Sequence, residues 1–151
     1  MPLSTVFRSG RTLVVGALAL ASVTACDEPF SPYWDRGTYR LRFANNHFVP
    51  ALVSEGPGSS YLEVRGGSLT VRRDHSYQLV VDIREKAGAD VFEYSKVFAG
   101  SYESEYRTLW LSYVDSRGYS RVVEANWRDG RIEAVVPGID SGYGVLCSFE
   151  E

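Results

Sequence analysis

Cysteine, histidine and methionine are scarce in this 151-residue chain: two, two and one. Two cysteines cannot build the disulfide framework of a small stapled domain, so the fold must rest on its core. Two histidines, His47 beside Asn45 and Asn46 and His75 in a turn-like stretch, are poor material for a zinc site or a general base. Those need several ligands, or a base with an orienting partner. No Gly-x-Ser-x-Gly elbow, His-Glu-x-x-His pair or glycine-rich phosphate loop ahead of a helix occurs. No catalytic residue, metal or cofactor is therefore expected, and the chain is read as a non-enzyme. Excess positive charge is lacking too. Sixteen Lys+Arg against 19 Asp+Glu leave a net charge of −3, with the basic residues interspersed among acids. Nucleic-acid binding depends on neutralising phosphates with Lys and Arg, and this balance makes no case for it. Long apolar runs are missing as well. The stretch Leu13–Ala21 (LVVGALALA) has about nine residues, where crossing the ~30 Å hydrocarbon core takes roughly 20.

That short run sits in a telling place. Met1–Arg11 carries Arg8 and Arg11 and no acid, as a basic n-region would, and Leu13–Ala21 has the length of a signal-peptide h-region. Val23-Thr24-Ala25-Cys26 follows: a branched apolar residue, two small residues, then cysteine. This resembles the lipobox of bacterial lipoproteins. The resemblance implies that the Cys26 thiol receives a diacylglycerol, that residues 1–25 are removed, and that Cys26 becomes an acylated N-terminus in the membrane. The other readings are a plain signal peptide with a chance cysteine, or a buried hydrophobic helix. The expected location is the bacterial cell envelope. Asp27, next to the cysteine, resembles an inner-membrane retention signal of some enteric bacteria, and the choice among inner membrane, outer membrane and cell surface stays open.

The expected organisation is then a signal peptide over 1–25, a lipidated N-terminus and tether over 26–36, and one domain over 37–151. Losing residues 1–25 leaves 126 residues, enough for one core. It also removes Arg8 and Arg11 and no acid, so the net charge moves from −3 to −5. With Cys26 acylated, Cys147 has no intrachain partner.

From Gly37 onward the pattern has period two. Tyr39, Leu41 and Phe43 alternate with Arg40 and Arg42. Leu62 and Val64, then Leu69 and Val71, do the same on either side of Gly66-Gly67, which reads as a turn. Tyr77, Leu79, Val81 and Ile83 form the longest clean run. Strict alternation places one set on a buried sheet face. Further strands are expected over 91–98, 108–114, 119–127, 131–136 and 143–149. Asn45–Ser60 reads as a partial strand at 47–53 and then a loop. Eight to ten short strands with turn-length links fit an all-β antiparallel meander. Two architectures are compatible, an up-and-down barrel and a two-sheet sandwich. The barrel is favoured because a meander of twisted strands hides its edges by closing on itself.

Gly37-Thr38-Tyr39-Arg40-Leu41, Gly67-Ser68-Leu69-Thr70-Val71 leading to Arg73-Asp74-His75-Ser76-Tyr77, and Gly100-Ser101-Tyr102 with Leu109-Trp110-Leu111 together resemble the small lipocalin-like lipoproteins of bacteria. The likeness covers roughly Gly37 to Val114. It departs at Tyr39, where lipocalins carry tryptophan, and at His75, where the turn usually has glycine. It implies an eight-stranded barrel whose interior is either filled or open, and it supplies no catalytic residues.

Aromatic residues are plentiful, at 13% of the chain. They fill β-cores by preference, and they can also line an apolar ligand cavity. The cavity reading names Tyr77, Leu79, Phe92, Tyr94, Tyr113 and Tyr119. Cys147, in phase with Tyr143, Val145 and Phe149, reads as a small buried residue, and Trp127 as closing a barrel end. The leading functional expectation is a membrane-tethered binding module for a small hydrophobic molecule or lipid. A structural or protein-interaction module with a solid core is the second, with no protein partner indicated, and an enzyme of unknown class the third.

Overall fold

A computed structural model describes residues 36–140 and 144–151. The expected leader, Cys26 and the tether up to Asp35 lie outside these residues, as does Tyr143. The described chain forms ten strands: β1 (Gly37–Ala44), β2 (His47–Phe48), β3 (Ala51–Glu55), β4 (Tyr61–Val71), β5 (Ser76–Ala87), β6 (Asp90–Glu105), β7 (Thr108–Val114), β8 (Ser120–Arg128), β9 (Arg131–Val136) and β10 (Val145–Glu150). One 3-10 turn, Pro57–Ser59, precedes β4. All strands join one sheet in the order β2-β1-β10-β9-β8-β7-β6-β5-β4-β3, and β1 also pairs with β4. That last antiparallel pairing, Gly37–Arg40 against Ser68–Val71, closes eight strands into an up-and-down barrel. β2 and β3 are additions, paired with the end of β1 and the start of β4. The barrel is the fold, and the sandwich is set aside.

Several sequence expectations change. Gly66-Gly67 is not a turn: β4 runs through it as one strand of 11 residues, with a register shift between Val64 and Gly66 against an uninterrupted β5. A Cβ on Gly67 would collide with the Val80 carbonyl oxygen, and its φ of 153° suits no side chain. The glycine pair bends a long strand around the barrel, as bulges and glycines do at barrel corners. Gly100 acts similarly. The strand expected over 91–98 runs on through it to Glu105, and a Cβ there would meet the Ser112 carbonyl oxygen. Phe43 does not continue the buried phase of Tyr39 and Leu41. A register shift between Leu41 and Phe43 turns Ala44 inward instead, and the Phe43 ring packs against Phe48, with centroids 4.3 Å apart. The segment 47–53 is two strands broken at the cis Val49-Pro50 bond.

The inward phase is fully occupied across most of the barrel. Tyr39, Leu41, Val64, Leu69, Tyr77, Leu79, Val81, Ile83, Leu109, Leu111, Ile132, Val136, Val145, Cys147 and Phe149 are all at most 3% exposed. Each such aliphatic or aromatic side chain contributes roughly 1.5–3 kcal/mol of transfer free energy. A water-sized void beside them would leave accessible surface on them, so these side chains fill the space they enclose.

The two ends of the barrel differ. The near end holds Gly37, the β4–β5, β6–β7 and β8–β9 turns, and the C-terminus, as the registers require. Here Trp127 packs against the core, and its backbone N–H donates to the Arg107 carbonyl at 2.7 Å. The far end holds the β5–β6 turn, the β7–β8 turn and the β9–β10 connection. That connection drops Ile139, 3% exposed, into the core.

Candidate functional site

The far end is where the barrel wall opens. β6 pairs with β5 along its whole upper length, Asp90 to Ser101, but with β7 only from Gly100 to Glu105. β7 stops at Val114 and turns, so the upper half of β6 stands alone on that side. Its inward phase follows from its partners: Phe92, Tyr94, Lys96 and Phe98 lie opposite Glu85, Ile83, Val81 and Leu79. Ile83, Val81 and Leu79 are buried, whereas Phe92 is 52% and Tyr94 37% exposed. The inner surface of the wall is therefore sealed on β5 and uncovered on β6.

A cleft of about 330 Å³ lies where the two strands part. Lys96, Phe98, Tyr113 and Val114 border it, with Asp115 and Ser116 of the β7–β8 turn on one side and Pro137-Gly138 on another. Phe98 and Tyr113 form its apolar floor, in edge-to-face contact with centroids 5.1 Å apart. Lys96 supplies the charge. Its ammonium makes no ion pair among the described residues, and Gly138 leaves room for it: a Cβ there would stand 3.5 Å from Nζ. Asp115 is otherwise engaged. Its carboxylate accepts from the Arg117 and Tyr119 N–H groups at 2.9 and 3.0 Å and from Arg121 Nε at 3.1 Å. These bonds, that from Tyr119 foremost, hold its carboxyl below the ordinary value.

Tyr77 lies just below the cleft floor. It is 1% exposed, and its hydroxyl has no hydrogen-bond partner among the described residues. Burial, with Tyr113 nearby, pushes its pKa up to about 12.

The six residues expected to line a cavity are divided by this arrangement. Tyr77 and Leu79 belong to the packed core, Phe92 and Tyr94 to the uncovered wall of β6, and Tyr113 to the cleft floor. Tyr119 lies outside, 60% exposed beyond the β7–β8 turn, with the Arg121 guanidinium 5.8 Å from its ring centroid. Lys96 and Phe98 were not among the expected residues. The signal for them is the even-numbered phase Phe92, Tyr94, Lys96, Phe98 and Tyr102, in which a lysine interrupts an aromatic row.

The remaining candidates are placed without chemistry. His47 lies on β2 toward the far end and His75 in the β4–β5 turn at the near end. His75 has a φ of 61°, the left-handed conformation that explains the glycine usual there, and its ring stacks on Tyr102 with centroids 5.5 Å apart. No group of three His, Cys, Asp or Glu side chains among the described residues could hold a metal ion. Cys147 is fully buried, and burial pushes its thiol pKa up to about 12. Comparison with known proteins finds no matching family model, no matching curated protein and no matching solved structure.

Proposed function

We propose that this chain is an envelope lipoprotein, held to a membrane by acyl chains on Cys26, whose barrel is a non-enzymatic module for a small hydrophobic molecule or lipid. The observation that carries the binding half is the uncovered inner wall of β6 above a packed core, with the cleft at its foot. Phe98 and Tyr113 offer an apolar floor, and Lys96 a cation with no ion-pair partner among the described residues. An aromatic floor beside a placed cation is what an amphipathic anion needs. The packed interior supports a ligand held at the far end of the barrel and not along its axis.

The barrel's polarity fits a tether. The domain starts at Gly37 on the near end, so an anchor at Cys26 would act there. The segment 27–36 reaches at most roughly 35 Å when extended. The cleft would then face away from the bilayer, open to ligands from the aqueous side.

A second reading, an interaction module with a solid core, is favoured by the buried interior itself. One experiment separates the two. Native mass spectrometry of the domain purified without detergent, together with titration of an anionic alkyl probe such as dodecanoate, should show a bound species for the parent and at least tenfold weaker binding for Lys96→Ala. A ligand-free domain that ignores the probe would overturn the binding reading in favour of the interaction module.

A further inference from the structure

We infer that two copies of this chain pair through the open edges of β6, making one continuous sheet across a two-fold axis at Tyr94. This goes beyond the ligand reading and does not depend on it; the partner strand would enter the cleft at Val97 and cover Lys96, so pairing and ligand binding there exclude each other.

The open edge has a definite chemistry. Tyr102 donates its N–H to the His75 carbonyl, and Arg72 donates to the Ser76 carbonyl. Hydrogen bonding alternates along antiparallel strands. With the register of β5 against β6, even-numbered residues of β6 therefore bond to β5. Val91, Glu93, Ser95, Val97 and Ala99 direct their N–H and C=O groups the other way. All five are exposed, and β7 pairs with none of them. Among the described residues this edge has no strand partner, as is also true of Ser120–Glu124 of β8 on its β9 side, and such an edge is a template for another strand.

Its side chains suit a second copy of itself. Val91 and Val97 on the outer face are 46% and 54% exposed, and Phe92 and Tyr94 on the inner face are 52% and 37% exposed. A two-fold axis perpendicular to the sheet keeps inner faces together, so even residues must oppose even ones and odd must oppose odd. Few registers then remain. Centring on Glu93 sets Glu93 against its own copy, and centring on Lys96 does the same with two ammonium groups. Centring on Ser95 drives the partner's Asp90 to the level of Gly100, where Tyr113 of β7 already pairs. Centring on Tyr94 makes no like-charge pair and ends the partner's β6, at Asp90, opposite Phe98, so that only its β5–β6 turn reaches the level of Gly100. It sets Val91 against Val97, Glu93 against Ser95, Phe92 against Lys96, and Tyr94 against itself. The outer face gains two valine pairs. The inner face gains two lysine-over-phenylalanine contacts flanking a tyrosine pair, all favourable cross-strand combinations. Four hydrogen-bonded residue pairs would add about eight main-chain bonds. The isologous contact consumes the edge on both copies, so assembly stops at two.

The test uses the full chain extracted from membranes. Sedimentation of the parent should give twice the protomer mass. Ser95→Pro removes one N–H that faces only the open edge, so the barrel's own ladder is kept and circular dichroism should match the parent, while the mass falls to one protomer. Tyr94→Cys places two thiols at a non-hydrogen-bonded pair, whose Cα separation of ~4.5 Å lies within disulfide range. Mild oxidation should then yield a covalent dimer that peptide mapping assigns to position 94 joined to position 94. A parent that sediments as one protomer, or a dimer that survives Ser95→Pro with no crosslink at position 94, would overturn the inference.

Discussion

Tyr77 and Tyr113 lie on one cross-strand row, each paired in register with Gly100 between them. The place of the glycine's missing side chain is taken by the Ser112 carbonyl oxygen, and Tyr113 adds to the burial that raises the pKa of the Tyr77 hydroxyl. The Tyr77 hydroxyl is buried without a hydrogen-bond partner among the described residues. A buried hydroxyl without a hydrogen bond typically costs about 1–3 kcal/mol of desolvation. Tyr77→Phe keeps the ring and removes that burden, so the variant should match or exceed the parent's stability, by up to about 1 kcal/mol. Urea denaturation of both proteins checks this. A loss of more than about 1 kcal/mol would mean that the hydroxyl is satisfied, by water or by ligand.

Alkaline pH should unfold the protein through two groups in its core. Burial pushes both the Tyr77 hydroxyl and the Cys147 thiol up to about 12, from ordinary values of 10.0 and 9.0. Each is neutral when protonated, and the unfolded chain releases its proton first. The stability tied to Cys147 is therefore complete below pH 9 and lost between 9 and 12; that tied to Tyr77 is lost between 10 and 12. Thermal melts at stepped pH should show the midpoint falling from about pH 9 upward. Cys147→Ala should move the onset toward pH 10. An unchanged onset in that variant would remove the thiol from the account.

Gly67→Ala and Gly100→Ala should each destabilise the barrel by roughly 2–4 kcal/mol, because a backbone carbonyl, not a mobile side chain, stands in the way of the new methyl group. Gly37→Ala is the matched control: nothing lies within 4 Å of its Cβ position. Chemical denaturation of the three variants checks the ranking, and equal effects would refute the close crossings.

These two glycines also show where the sequence was misleading. Alternation on either side of Gly66-Gly67 is the same whether the chain turns or bends there, and local sequence carries no sign of the carbonyl at Val80 that makes the difference. Strand identity and burial were legible wherever the period-two pattern ran cleanly, as from Tyr77 to Ile83. Closure was legible through the short links. The site was less so. Tyr77 and Tyr119 have similar local patterns, yet one is sealed in the core and the other exposed beyond a turn. Lys96 became visible only once β7 was seen to end short of it.

The central claim is the membrane tether, and the mature N-terminus tests it most directly. Mass spectrometry of that peptide from the membrane fraction should find Cys26 as the first residue, bearing acyl groups on its sulfur. Cys26→Ala should abolish both the modification and the membrane fractionation. A mature chain with an unmodified thiol at Cys26, or a Cys26→Ala protein that still fractionates with membranes, would contradict the account.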